Sequence, residues 1–229
     1  MTCKKQKAKM KTIITIDGPA GSGKSTVSRL LARDLGYLYL DTGAMYRAAA
    51  LQSAREGVDP VNKGVLERLC RSLDLEFRLE GGENRLYLGE EDISGAIRSP
   101  EMDWLSSTLS ALGEVREAMT ELQRTLGNRG RVVAEGRDMG TVVFPMARFK
   151  FFITADLKVR AQRRYRERVM RGETVSLENV ERDLMKRDEQ DMNRLLSPLR
   201  PAEDAITIDT SDLDPGQVVD MMLEKIRQG

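Results

Sequence analysis

No histidine occurs anywhere in the 229 residues. That absence removes Ser-His-Asp and Cys-His triads, His-ligated zinc and imidazole general bases. Any chemistry must run on carboxylates, Arg, Lys, hydroxyls and backbone amides. Cysteine is nearly absent too. Cys3 and Cys70 are the whole complement, too few for a disulfide framework and too far apart in sequence for a metal clip. A reduced, cytoplasmic protein is the expectation. No stretch reaches the roughly 18 apolar residues of a membrane span, so no membrane partner is expected. Nor does one charge dominate: 37 Lys+Arg stand against 36 Asp+Glu, which argues against a protein that coats nucleic acid. What remains is a length and a 40% hydrophobic content suited to one domain with a modest insertion.

The near-zero charge hides a distribution. Residues 1–11 carry five lysines and no apolar run, and read as a basic, disordered tail. The segment Lys158–Arg171 holds seven cations (Lys158, Arg160, Arg163, Arg164, Arg166, Arg168, Arg171) against the single acid Glu167. With +5 in the tail and +6 in this segment, the rest of the chain is acidic by ten.

From residue 12 onward, strand and helix patterns alternate. Residues 12–17 are β-branched and nearly all apolar, as in a strand buried on both faces. A helix with Val27, Leu30, Leu31 and Leu35 on one side ends at Gly36. Residues 37–40 form a second strand, and Asp41 caps a following helix. Leu73, Leu75, Phe77 and Leu79 then alternate with charges, and Leu86 and Leu88 resume the alternation after a Gly-Gly turn, which predicts a small antiparallel piece. Helical sequence runs from Ser99-Pro100 towards Gly127. Buried strands are predicted at 131–135, 149–154 and 205–209, with charged helices between the last two broken near Gly172. Asp214-Pro215 caps the last helix. The expected fold is α/β, a doubly wound parallel sheet flanked by helices.

The stretch Gly18-Pro19-Ala20-Gly21-Ser22-Gly23-Lys24-Ser25, followed by Thr26, matches the phosphate-binding pattern G-x-x-x-x-G-K-[ST] between a buried strand and an amphipathic helix. Its glycines let backbone amides approach phosphate oxygens. Lys24 supplies a point charge, and the Ser25 hydroxyl is a Mg²⁺ ligand candidate. The loop does not say what receives the phosphate. Asn62-Lys63 is followed by Gly64-Val65 and not by the x-Asp of a guanine reader. Without histidine, an acceptor that is already an anionic phosphate is favoured, since it needs no base. A kinase for another monophosphate (UMP or AMP) and a nucleotide-dependent switch are the alternatives.

Further blocks bear on that choice: Asp41-Thr42-Gly43-Ala44-Met45-Tyr46-Arg47, Asp92-Ile93-Ser94-Gly95, Val115-Arg116-Glu117-Ala118, Glu135 through Pro145, Arg187-Asp188, and Asn193-Arg194 with Pro198-Leu199. In this order, from residue 12 to the end, the chain resembles the bacterial-type cytidylate kinases, P-loop enzymes that phosphorylate CMP and dCMP with ATP and Mg²⁺. The resemblance implies ATP contacts from Gly18 through Thr26 and from Arg163. It implies that Arg47, Arg137 and Arg194 grip the acceptor phosphate, with Lys24, Arg137 and Arg194 catalytic. It also implies that Ser107, Arg116 and Asp138 read the base, that Arg187 and Asp191 contact the sugar, and that Thr42 seats the acceptor nucleotide. Thr42 and Glu135 stand where the family often has Ser and Asp. An insertion over 65–98, an Arg-rich helical lid over 157–187 and a monomeric enzyme complete the expectation.

Overall fold

The computed structural model describes residues 12–128 and 130–228. The basic tail and Cys3 lie outside the described residues. Five strands form one wholly parallel sheet in the order β2-β6-β1-β7-β8. They are β1 (Ile13–Asp17), β2 (Leu38–Asp41), β6 (Val132–Gly136), β7 (Phe149–Thr154) and β8 (Ile206–Asp209). A second, antiparallel sheet holds β3 (Leu75–Glu80), β4 (Glu83–Leu88) and β5 (Glu91–Asp92).

Helices cover both faces of the parallel sheet. On one, α1 (Lys24–Leu35) and α8 (Pro215–Gln228) bury Val27, Leu31, Val218 and Met222 against Ile14, Ile16, Phe151 and Ile153. On the other, α2 (Thr42–Arg55), α3 (Lys63–Ser72), α4 (Pro100–Leu109) and α5 (Gly113–Gly127) enclose a larger core with Leu40, Met45, Leu66, Leu109, Met119 and Phe144. The antiparallel sheet joins that core through Leu75 and Leu86. The helices α6 (Leu157–Met170) and α7 (Leu177–Asn193) pack together through Ala161, Val180 and Leu184. Burial of this kind stabilises by about 25 cal/mol per Å² of apolar surface.

Three expectations change. The helix expected to run from Ser99 to Gly127 is two helices. Ser110 ends α4, its hydroxyl donating to the Ser107 carbonyl at 2.8 Å. Leu112 is extended (φ −84°, ψ 125°) and α5 starts afresh at Gly113. The strand expected to be buried at 205–209 lies at the sheet edge, where only Ile208 is buried and Ile206 is 37% exposed. The alternation on β3 fades outward: Leu75 is buried, Phe77 half-buried and Leu79 exposed, because the small sheet projects beyond the core.

In a parallel sheet every strand delivers its C-terminal end to the same edge, where open α/β folds place their ligands. Here those ends release the phosphate-type loop after β1, α2 after Asp41 at the end of β2, Arg137 and Asp138 after β6, α6 after β7 and Thr210 after β8.

Candidate functional site: a cationic cleft at the C-terminal edge of the sheet

The loop after β1 turns on Gly18 (φ 153°), Gly21 (φ 75°) and Gly23 (φ 88°). A side chain at Gly18 would run into the Ile153 carbonyl of β7, so the loop can leave the sheet this tightly only with glycine there. Ser22 Oγ and Lys24 Nζ both donate to the Pro19 carbonyl at 3.0 Å. Lys24 is therefore the first residue of α1, buried, with its ammonium inside the loop. Burial, then the nearby Arg137, hold that ammonium well below the usual lysine range, and Glu135 opposes them.

Ser25 Oγ donates to Glu135 Oε1 at 2.5 Å, and Tyr39 Oη donates to Glu135 Oε2 at 2.5 Å. Burial pushes the Glu135 carboxyl up, with Asp41 adding to the effect and Lys24 opposing it. A hydroxyl and one carboxylate facing the phosphate loop suit Mg²⁺, which keeps several waters and borrows other ligands from substrate phosphates. No group of three or more His, Cys, Asp or Glu side chains among the described residues makes an all-protein metal cage.

The cleft encloses about 440 Å³ and is walled by the loop, α2, α4, the end of β6, α6 and α7, a size suited to a small-molecule ligand. Arg116 lies at the start of α5, its Nη1 donating to the Ser110 carbonyl at 3.2 Å, so the break between α4 and α5 is what aims it inward. Its Nη2 donates to Asp138 Oδ2, and both side chains are buried. Arg194 Nη2 is 4.0 Å from Asp138 Oδ1. Arg137 Nε donates to Asp191 Oδ2 at 2.8 Å, and Arg194 Nη1 lies 3.7 Å from Asp191 Oδ1. Arg116 Nε and Arg194 Nη2 are buried with no hydrogen-bond partner among the described residues, which leaves donors for a polar ligand.

The remaining expected residues fall in place around this floor. Ala20 through Thr26 line the cleft, while Gly18 and Pro19 do not. Thr42 lines it but donates its hydroxyl to the Glu135 carbonyl at 2.6 Å, tying α2 to β6. Arg47 lies 3.7 Å from Asp41 and 3.9 Å from Asp103. Ser107 is on the rim, 3.4 Å from Gln190. Arg187 and Asp191 face the cleft from α7 and do not form the exposed i,i+4 pair their spacing allows. Burial first, and Arg137 next, lower the Arg187 guanidinium to about 10.

The cleft thus gathers Lys24, Arg47, Arg116, Arg137, Arg187 and Arg194 at the end of a strand-loop-helix phosphate cradle. A family model described as cytidylate kinase matches residues 14–228. The chain belongs to the cytidylate kinase family. It is similar to the cytidylate kinase of Geobacter sp. (strain M21), at 44% identity over 94% of this chain and 93% of that one. Its identity to the cytidylate kinase of Carboxydothermus hydrogenoformans is 47%, over 93% of this chain and 96% of that one. In fold it is similar to an uncharacterized protein from Eubacterium ventriosum of known crystal structure. That likeness has a TM-score of 0.52 and 14% identity, and covers 96% of this chain and 99% of that one. This cytidylate kinase family member is a nucleoside monophosphate kinase.

The arginine-rich segment of this family member is sorted by position on α6. Arg160 is buried and joins Asp188 of α7 at 2.6 Å, the Ala155 carbonyl at 2.9 Å and the Ala20 carbonyl of the phosphate loop at 3.2 Å. Arg163 donates to the Thr210 hydroxyl and carbonyl at 3.0 and 2.6 Å, and Thr210 in turn donates to the Ser22 carbonyl. Arg164 reaches Asp103 of α4 at 2.6 Å, across the cleft. Arg168 joins Glu173 at 2.7 Å, while Lys158, Arg166 and Arg171 are exposed.

Sequence reasoning assigned no role to Asp17, Tyr39, Asp103, Glu135, Asp188 or Thr210, and placed Arg160 and Arg164 only collectively in the expected arginine-rich lid. For Asp17 and Glu135 the signal was present, since each is a carboxylate closing an otherwise apolar strand. Asp103 and Arg164 carry no such signal, because on a helix each reads as a solvated charge. No helix among the described residues is long and apolar enough to cross a membrane.

Proposed function

We propose that the protein transfers the γ-phosphoryl group of MgATP to the phosphate of CMP or dCMP, giving ADP and CDP or dCDP. The observation that carries this reading is the buried Arg116–Asp138 pair on the cleft floor. A carboxylate beside a guanidinium complements cytosine, whose exocyclic amine is a donor next to the N3 and O2 acceptors. Uracil presents a carbonyl where that amine was, which sets two acceptors against each other at Asp138 and leaves a buried group unpaired.

The acceptor phosphate arrives as an anion, so its oxygen attacks the γ-phosphorus without a base, and the oxygen bridging β and γ leaves on ADP. The task is to hold two anions together and spread the charge that develops. Arg47, Arg137 and Arg194 grip the acceptor phosphate, and fork-shaped guanidinium groups can do so bidentately. Lys24 and the loop from Gly18 to Thr26 hold the donor phosphates, with the amides of Ala20 through Thr26 as donors and Arg163 closing over them. Asp191 and Arg187 take the sugar, and Ser107 and Thr42 border the acceptor. Ser25 and Glu135 would hold Mg²⁺, which would supply positive charge to offset that of the donor phosphates. One chain supplies all these groups, so a monomer suffices for the proposed reaction, and the cytoplasm is the proposed compartment.

The test is ADP release, by a coupled assay, with CMP, dCMP, UMP, AMP or no acceptor. The cytidine nucleotides are expected to give kcat/KM about 10²-fold above UMP. Equal rates with CMP and UMP sink the base reading. ADP release that ignores the acceptor sinks the kinase reading of the cleft.

A further inference from the structure

The arrangement around Asp17 is not used by the reaction above. Asp17 is the last residue of β1 and immediately precedes the phosphate loop. Its side chain is 4% exposed and does not line the cleft. Its Oδ1 accepts from the Met139 amide and its Oδ2 from the Gly140 amide, both at 2.8 Å. Those are the first two amides of a single wide helical turn, Met139–Val143, which follows directly on Asp138. Opening amides of a helical turn lack intrahelical partners, and wide turns of this kind concentrate at functional sites.

Close approach here is built in. A Cβ on Gly140 would lie 3.0 Å from Thr15 Oγ1, 3.3 Å from Lys150 Cδ and 3.4 Å from Asp17 Oδ2, so any side chain at 140 would press on the β1 side chains against which the turn sits. Asp138 stands one residue before the clamp in a non-helical conformation (φ −145°, ψ 22°), its carboxylate turned to Arg116. Displacing the clamp moves Asp138 directly, while the loop amides that face a nucleotide phosphate begin beyond Gly18 on the other arm of Asp17.

We propose that Asp17 is a positioning residue for acceptor-base discrimination: its carboxylate fixes the backbone at 139–140 and so holds Asp138 against Arg116 in the geometry that tells an amine from a carbonyl. The inference rests on the reading of Asp138 as the base-facing carboxylate. Burial raises the Asp17 carboxyl to about 7, the two amides lower it, Asp138 raises it and Arg137 lowers it. A buried carboxyl retained at such a cost to its charged form is consistent with a task beyond filling space.

The test uses Asp17→Asn, which keeps the size but turns an amide donor towards one of the two backbone N–H groups. The KM for CMP is expected to rise about tenfold and the CMP/UMP ratio of kcat/KM to fall at least about fivefold, with the KM for ATP within about twofold of wild type. A purely structural role would raise both KM values together and leave the ratio alone, and that result overturns the inference. Gly140→Ala presses on the same clamp from the other side and is expected to lower the ratio in the same direction. If Asp17→Asn does not fold, Gly140→Ala decides alone, and an unchanged ratio there also overturns the inference. A wild-type enzyme with no CMP preference would instead overturn the base reading. The two failures are therefore distinguishable.

Discussion

Lys24 gives up its proton more readily than an ordinary lysine: its amine is buried, 3.0 Å from the Pro19 carbonyl, with Arg137 nearby. Burial and that neighbour lower its proton affinity, and an arriving triphosphate supplies the missing negative charge and raises it. Nucleotide binding at pH 8 is therefore expected to take up a proton, of order half to one per site. Calorimetry in buffers of different ionisation enthalpy reads this directly, and uptake that persists in Lys24→Ala would contradict the assignment. The same variant is expected to lose about 10³-fold or more in kcat, as a preorganised charge is removed from the transition state. At this scale the sequence was most legible where a residue's role is written in its local pattern, as in the phosphate loop. It was least legible where partners are far apart in the chain. Nothing local connects Tyr39 to Glu135, or Asp103 to Arg164; only the parallel order of the sheet brings such pairs to one edge.

The break between α4 and α5 shows what periodicity misses at the scale of elements. Ser110, Ala111 and Leu112 are compatible with a continuing helix by propensity, yet the chain turns there so that Arg116 enters the cleft. The edge strand β8 misled for a different reason, since a short apolar run looks the same at an edge as in the middle of a sheet. Two helix contacts can be tested. Gly127 ends α5 against Phe144, where an added Cβ would lie 2.6 Å from the ring Cζ. Gly127→Ala is expected to cost about 1–3 kcal/mol through overpacking. A lowered denaturation midpoint with an unchanged slope would show it, and an unchanged midpoint would mean that the ring moves freely. The Arg164–Asp103 pair is the link from α6 to α4 at 2.6 Å. Asp103→Ala is expected to loosen α6 and α7, seen as faster amide exchange around residues 171–176 with α1 unaffected. Identical exchange in both proteins would show that Arg160 and Asp188 hold α6 and α7 in place unaided.

Across the whole molecule, a formal charge of +1 conceals an acidic body and a cationic cleft. The five strand ends explain how a chain with scattered motifs makes one site. The doubly wound fold was legible from its alternating strands and helices, because that order leaves few parallel topologies. The partnering inside the cleft was not, because ion pairs follow from three-dimensional register. Stability should carry the mark of the buried carboxyl in this scaffold. Asp17 has its native pKa near 7 against an ordinary 3.8. Between those values the folded protein binds more protons than the unfolded chain, so this group's contribution falls as pH rises from about 4 to 7. Denaturation of wild type and Asp17→Asn across that range is expected to show the wild type losing ground steadily, by up to a few kcal/mol as an order of magnitude. Parallel curves would show that Asp17 is already ionised at pH 4.

The central claim is that the Arg116–Asp138 pair reads cytosine while the cations around it move a phosphoryl group. It is tested most directly by the ratio of kcat/KM for CMP to that for UMP, measured in wild type and in Asp138→Ala. The expected result is a wild-type ratio of about 10² that collapses to within about threefold of unity in the variant, chiefly through loss of CMP turnover. A ratio that survives the loss of the Asp138 carboxylate would contradict the account.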